Sequence, residues 1–305
     1  MDRKIENRVG IRYALFALIA MPFQIVIALI MKRVCPEFLT ENSANISLIL
    51  PIVLLDIIGF PLLLLLLKKL PKGETEKGKL GVGGFIQCLF VCYLLAFIGM
   101  IIGTAVSNAI GASEVNIADV IVGSSVLPRV LYVGILAPIF EELIFRKLLI
   151  DHLLPRGKFF AIIVSALSFG LFHGNLNQFF FATLLGLVFG YVYVKTGKIY
   201  YSMGFHFIIN MTTTVVVTLI TMKYDLESAE GIMLLGLYGM YFLIMTVAGA
   251  VVFFVKYKKI TLIEDTDGLT RGGSFKAAFT SPGLWTFYAV CIFMFVYQIL
   301  AVKAG

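Results

Sequence analysis

The sequence predicts an all-α polytopic membrane protein, a helical bundle of about eight or nine transmembrane helices. Three observations carry this. Apolar residues make up 60% of the 305 positions and charged ones only 14%, more apolar surface than a water-soluble domain of this size can cover. Runs of about 20 apolar residues, the length that crosses a bilayer, recur from end to end. The lysines and arginines fall between these runs, so the net charge of +7 is expected on membrane-flanking loops and not on a nucleic-acid surface. No polar stretch is long enough for a second unit, and residues 1–305 are expected to form one membrane domain.

Taken in order, residues 1–12 carry Arg3, Lys4, Arg8 and Arg12. The apolar run that follows, to Met31, lacks a small-residue cleavage site and is read as a retained first helix. A short loop with Pro36 leads to a second run, 46–67, interrupted by Pro51, Asp56 and Pro61. Its prolines predict kinks that neighbouring helices compensate. Asp56 is an intramembrane acid, a candidate for either the site or helix packing. The basic loop 68–80 places that helix end in the cytoplasm.

The third run, 83–103, leads into 104–125, poor in Lys and Arg and so expected outside. The fourth, 126–150, ends among Arg146, Lys147, Arg156 and Lys158. The fifth, 159–173, ends at His173, where Gly174 to Gln178 supply turn residues. The sixth, 179–194, stops near Gly197, a helix C-terminus signal. The seventh, 199–222, carries His206 and Asn210, and the acids Asp225, Glu227 and Glu230 follow it on the outer side.

The eighth, 231–255, ends in basic residues. The polar segment 260–283, with Glu264, Asp265 and Asp267, is read as a cytoplasmic loop. Ser281-Pro282 marks the start of a last run to Ala301, with Trp285 as an interface anchor. This gives nine spans with the N-terminus cytoplasmic, and only Lys32–Arg33 run against the positive-inside pattern. No internal repeat of the transporter kind is visible. Cys35, Cys88, Cys92 and Cys291 show no metal spacing, and Cys88 and Cys92, four apart in an apolar run, are read as buried thiols.

The fourth run holds the most expensive feature. Glu141 and Glu142 stand side by side at membrane depth, where an ionised carboxylate costs roughly 2.5–3.5 kcal/mol. In a helix, Glu142 and Arg146 share a face at i, i+4 and can pair, while Glu141 points about 100° away. Pro138 removes a backbone donor just before the pair and predicts a bend there. His173, with Phe169 four residues before it, and His206, with Asn210 four after it, lie on the next helices. The remaining histidine, His152, sits among basic residues and is set aside. Taken alone, each of these side chains is explained by helix packing. Two carboxylates, an arginine, two histidines and an asparagine within about seventy residues are not.

The segments EELIFR, FGLFH and HFIIN match the patterns EExxxR, FxxxH and HxxxN. In order and spacing they resemble the CPBP (CAAX protease and bacteriocin-processing, or ABI) family of intramembrane endopeptidases, which includes the type II CAAX prenyl proteases. The resemblance covers about 126–222, read as the catalytic core, with flanking helices in 1–125 and 223–305. It implies that Glu141 is a general base for water, Glu142 supports it while paired with Arg146, and His173 helps hold the water. His206 and Asn210 would donate to the oxyanion, with Phe169 supporting.

Peptide hydrolysis needs such an activated water and such donors. No cofactor is expected. Zinc held by Glu141, Glu142, His173 and His206 is the alternative, although the HExxH pattern of zinc peptidases is missing. The expected partners are a membrane-associated peptide or protein substrate and the lipid bilayer, with no nucleic acid. The expected location is a bacterial plasma membrane. A proton-coupled transporter and a catalytically silent binding or immunity member of the family are the competing readings.

One geometric difficulty follows from these spans. Counted from a loop at 151–158, Glu141 lies ten residues deep (151 − 141) and His173 fifteen (173 − 158), several ångströms apart at about 1.5 Å per residue. Their meeting requires that the fifth helix start outside the membrane or that the helices tilt strongly.

Overall fold

In the computed structural model, which describes residues 5–111, 125–256 and 271–304, each of the nine apolar runs lies in a helix. The helices are numbered here in chain order: α1 (Ile5–Val34), α2 (43–67), α3 (Val82–Ala109), α4 (126–153), α5 (Lys158–Phe172), α6 (Leu176–Thr196), α7 (Ile199–Lys223), α8 (Ala229–Lys256) and α9 (Pro282–Ala304). Among the described residues, α3, α6, α7 and α8 are long and apolar enough to cross a membrane by length and composition alone. Leu243, Ile244, Phe254 and Val255 on α8 are more than half exposed, a face suited to lipid. The protein is an integral membrane protein.

Three stretches read as loops are partly helical. Pro36–Glu41 forms a short helix with Pro36 in its first turn, where the missing N–H is no loss. Arg271–Thr280, within the segment taken as a polar loop, is also helical. The acids Glu264, Asp265 and Asp267 and most of the 104–125 stretch lie outside the described residues. The third correction removes the depth problem. The chain stays helical through Asp151–Leu153 and a 3-10 turn at Leu154–Arg156, then reverses at Gly157 with φ +127°, a conformation that favours glycine. Counted from Gly157, Glu141 (157 − 141) and His173 (173 − 157) are both sixteen residues away. They reach similar depth without unusual tilt.

Three helix contacts build the bundle around the motif helices. α5 packs on α6 and α6 on α3, while α1 packs on α9, joining the two ends of the chain. The loop 68–80 is not loose. Its backbone binds carbonyls at the ends of α4 and α6, from Gly73 to Asp151, Glu76 to Val194 and Gly78 to Lys195. Hydrogen bonds from Lys158 and Lys195 to Glu76 hold that carboxyl below its usual range and tie the strap across the helix ends.

The α5–α6 crossing depends on small residues, as close helix contacts in membranes do. Gly170, inside the FxxxH segment, faces Thr183, and Gly186 faces Ala166. A methyl group at Gly170 would collide with the Thr183 hydroxyl and the Phe179 carbonyl. Gly170→Ala is therefore expected to destabilise the protein by about 1–3 kcal/mol through overpacking. Gly239→Ala, on a face with open space, should not. Unfolding of the two variants in detergent micelles checks this.

Candidate active site

The backbone of α4 is unusual where the carboxylates sit. Two π-helical stretches, Arg129–Leu136 and Leu143–Ile150, flank the α-helical turn Ala137–Glu142. Pro138 accounts for the first boundary. Ala137 N–H bonds to the Tyr132 carbonyl in the π register. The next bond in that register would join Pro138 to the Val133 carbonyl, and proline has no N–H. Asn210 Nδ2 donates to this stranded carbonyl at 3.0 Å. The expected bend at Pro138 is thus a change of helical period, with a side chain of α7 completing it.

The second π stretch is held in the same way. Its carbonyls at Ile144 and Phe145 accept from the Tyr13 hydroxyl and the Ser165 hydroxyl, both at 2.7 Å. His152 Nδ1 lies 2.7 Å from the Leu148 carbonyl, so this histidine serves packing. Side chains from α1, α5 and α7 all complete bonds that α4 leaves open.

Glu142 and Arg146 are both fully buried, with Arg146 Nε 3.1 Å from Glu142 Oε2. The contact has the distance of an ion pair without the alignment of a hydrogen bond, and the guanidinium finds no acceptor among the described residues. It lies instead over aromatic faces, 4.3 Å from the Phe169 ring centroid and 5.4 Å from that of Phe189. Such desolvated cation–π contacts contribute about 2 kcal/mol. The other Glu142 oxygen lies 3.2 Å from His206 Nδ1. Ser202, one turn before His206, lies near the same carboxylate, while its hydroxyl donates to the Ile199 carbonyl at 2.9 Å.

Glu141 is placed differently. Its side chain keeps 28% exposure, against none for Glu142, and its Oε2 lies 3.6 Å from His206 Nε2. His206 therefore stands between the two carboxylates. His173 Nδ1 pairs with the Phe169 carbonyl at 2.8 Å, so it carries the hydrogen and leaves Nε2 with a free lone pair. The Phe169 ring meets both histidines edge-on, with centroids 4.9 Å from His173 and 5.6 Å from His206.

Arg146, His173 and His206 thus gather around the Phe169 ring, and His206 brings Glu141 and Glu142 to it, whereas Asn210 is anchored on the Val133 carbonyl of α4. Sequence reading missed Ser202 and Phe189. The first had a signal, i, i+4 spacing from His206 on the same face. The second had none, because any apolar residue of α6 fits its pattern.

Zinc fits this donor set poorly. Both Glu142 oxygens already face Arg146 and His206, and among the described residues no three His, Cys, Asp or Glu side chains converge on one point. A metal held through Glu142 would have to displace the buried ion pair.

Removing the arginine should expose the dependence on that pair. Arg146→Ala leaves the Glu142 charge buried without its cation, at an expected cost of about 3–5 kcal/mol. Lys198→Ala, at the start of α7, should change stability by less than about 1 kcal/mol. Comparison of their unfolding midpoints and yields in detergent is the check.

Comparison with known proteins now adds to the geometry. Residues 123–212 match the family described as type II CAAX prenyl endopeptidase Rce1-like. This interval covers α4 to the middle of α7, and so all three motifs. Over 170 residues, 54% of this chain and 69% of the relative, the sequence is 28% identical to "Putative membrane peptidase YdiL" of Bacillus subtilis (strain 168). No solved structure matches. On these matches the chain is a membrane protease whose motif-bearing region is similar to the type II CAAX prenyl endopeptidases.

Proposed function

We propose that this protease cleaves a peptide bond of a membrane-associated protein or peptide with a water molecule activated by Glu141. The observation that carries the reading is the asymmetry of the two glutamates. Glu142 is sealed and paired, while Glu141 is partly open and has no arginine of its own. A base must reach water, and a structural carboxylate need not.

In the proposed course, His173 Nε2 and Glu141 hold the water. Glu141 takes its proton, and the hydroxide forms a bond to the carbonyl carbon. Negative charge moves to the carbonyl oxygen, where Nε2–H of a His206 that carries hydrogen on both ring nitrogens, as its place between two carboxylates favours, and the second amide hydrogen of Asn210 donate. The tetrahedral intermediate collapses, the C–N bond breaks, and Glu141 returns the proton to the leaving amine. Each step balances without a metal, and none is routed through one. Glu142 acts by fixing His206 through Nδ1, which sets which ring nitrogen faces the reaction. Asn210 gives one hydrogen to Val133, so its position is fixed before substrate arrives.

We also propose a bacterial plasma membrane with the N-terminus and the strap 68–80 on the cytoplasmic side. Support comes from the lysines of the strap and from the bacterial source of the matched relative. A cysteine at Lys77 should then resist membrane-impermeant reagents in intact cells and react after permeabilisation. Labelling from outside would reverse the topology.

The variants test the mechanism by differing in kind. Glu141→Gln cannot accept the proton and should abolish turnover with substrate binding nearly intact, since the lost interaction belongs to the transition state. His173→Ala should behave similarly. Asn210→Ala should lower the rate by about 10²–10³ and leave residual activity. Single-turnover cleavage of membrane peptides by each variant in nanodiscs measures this. Wild-type rate in Glu141→Gln would overturn the assignment. Ion or solute flux with no cleavage of any peptide would favour a carrier.

A further inference from the structure

The buried acids of the described residues follow a pattern with one exception. Glu6 lies 3.6 Å from Arg156, Glu142 3.1 Å from Arg146, and Asp151 2.9 Å from Lys147. Each carboxylate withdrawn from solvent has a cation. Asp56 is equally withdrawn, at 6% exposure, yet no hydrogen bond or ion pair joins it to any described residue. An unpaired carboxylate in a poorly solvated position is destabilising unless something balances it.

Its place in the fold says where that balance would come from. Asp56 sits on the π-helical turn Val53–Gly59 of α2, a helix outside the 123–212 family match. One turn later, the Phe60 ring packs edge-on against Phe140, with centroids 5.7 Å apart, and Phe140 immediately precedes Glu141. The flanking parts of α2 touch both π stretches of α4. The Asp56 carboxylate consequently acts electrostatically on Glu141. Two acids from different helices are thus near enough for one charge to act on the other. The nearby cations are already committed, with Arg146 on Glu142 and His206 between the two glutamates.

We propose that Asp56 is a specificity-determining residue that receives a basic side chain, lysine or arginine, of the substrate beside the scissile bond. The protein leaves one buried carboxylate beside Glu141 without a cation, and the substrate supplies it. An ammonium or guanidinium there would satisfy Asp56 and would hold the peptide against α2, next to Glu141. A long, slim basic side chain suits so withdrawn an acid, since its methylene stem can lie along apolar surface while its head reaches the carboxylate.

The inference rests on the protease reading, and the test separates the two. The full chain in nanodiscs is given a membrane-peptide library in which each position near the scissile bond is Lys, Arg, Gln or Leu. The wild type is expected to prefer Lys or Arg over Gln at one position by about 10–100-fold in kcat/KM, the scale of a hydrogen bond to a charged group, expressed mainly in KM. Asp56→Asn, which keeps shape and loses charge, should reduce that ratio to about one. Asp56→Glu should retain it.

A wild type that cuts Lys, Arg and Gln peptides alike overturns the inference and leaves the protease reading standing. So does a preference that survives in Asp56→Asn. A wild type that cuts no peptide fails both.

Discussion

The burial of one ion pair organises this site. Glu142 and Arg146 are four residues apart on α4, both sealed from solvent. Two such charges are stable in a membrane bundle only if their surroundings replace water on every side. The replacements come from separate helices: Phe169 from α5, Phe189 from α6, and His206 and Ser202 from α7. The same contacts that neutralise the pair therefore bring the second and third motifs to the first. Assembly of the site and satisfaction of the buried charge are one event. An apolar replacement of the pair could preserve packing, but it would remove the reason for His206 to sit where it does.

A second constraint acts through the backbone. α4 changes period twice around the glutamates, and every change leaves carbonyls without their ordinary donors. Hydroxyls of Tyr13 and Ser165 and the Asn210 amide fill them. A π-helical distortion in lipid would strand polar groups in hydrocarbon. Inside a bundle it is tolerated because neighbours donate to it, and π segments recur at functional sites. Both glutamates sit on the α-helical turn between the two π stretches, so the ordinary step of about 100° separates them, and one can be structural while its neighbour stays accessible.

Sequence similarity and site geometry bear on different statements. The match over 123–212 together with the Bacillus relative makes the chain a membrane protease. What each side chain does rests on exposure, distance and bonding. Phe169 illustrates the difference. In the FxxxH pattern it marks a position, whereas in the structure it is the ring against which Arg146, His173 and His206 all rest. Asn210 is similar, since its first amide hydrogen serves the gap that Pro138 creates.

The sequence by itself determined the all-α membrane architecture, because nine apolar runs separated by charge leave a chain in lipid no other way to satisfy its backbone. It also determined the pairing of Glu142 with Arg146, which is local, and the identity of the motif residues, which is a matter of pattern. It did not place the α4–α5 turn. Counting apolar residues ends α4 near residue 150, whereas buried Asp151 and His152 continue the helix because Lys147, Tyr193 and the Leu148 carbonyl satisfy them. Only the tertiary structure decided that Glu141 and His173 lie at one depth. It alone decided that Asp56 joins the site, since that depends on Phe60 meeting Phe140 across two helices some eighty residues apart. Contacts at such separation leave no periodic trace in either segment. They arise when helices of independent sequence bury their surfaces against one another.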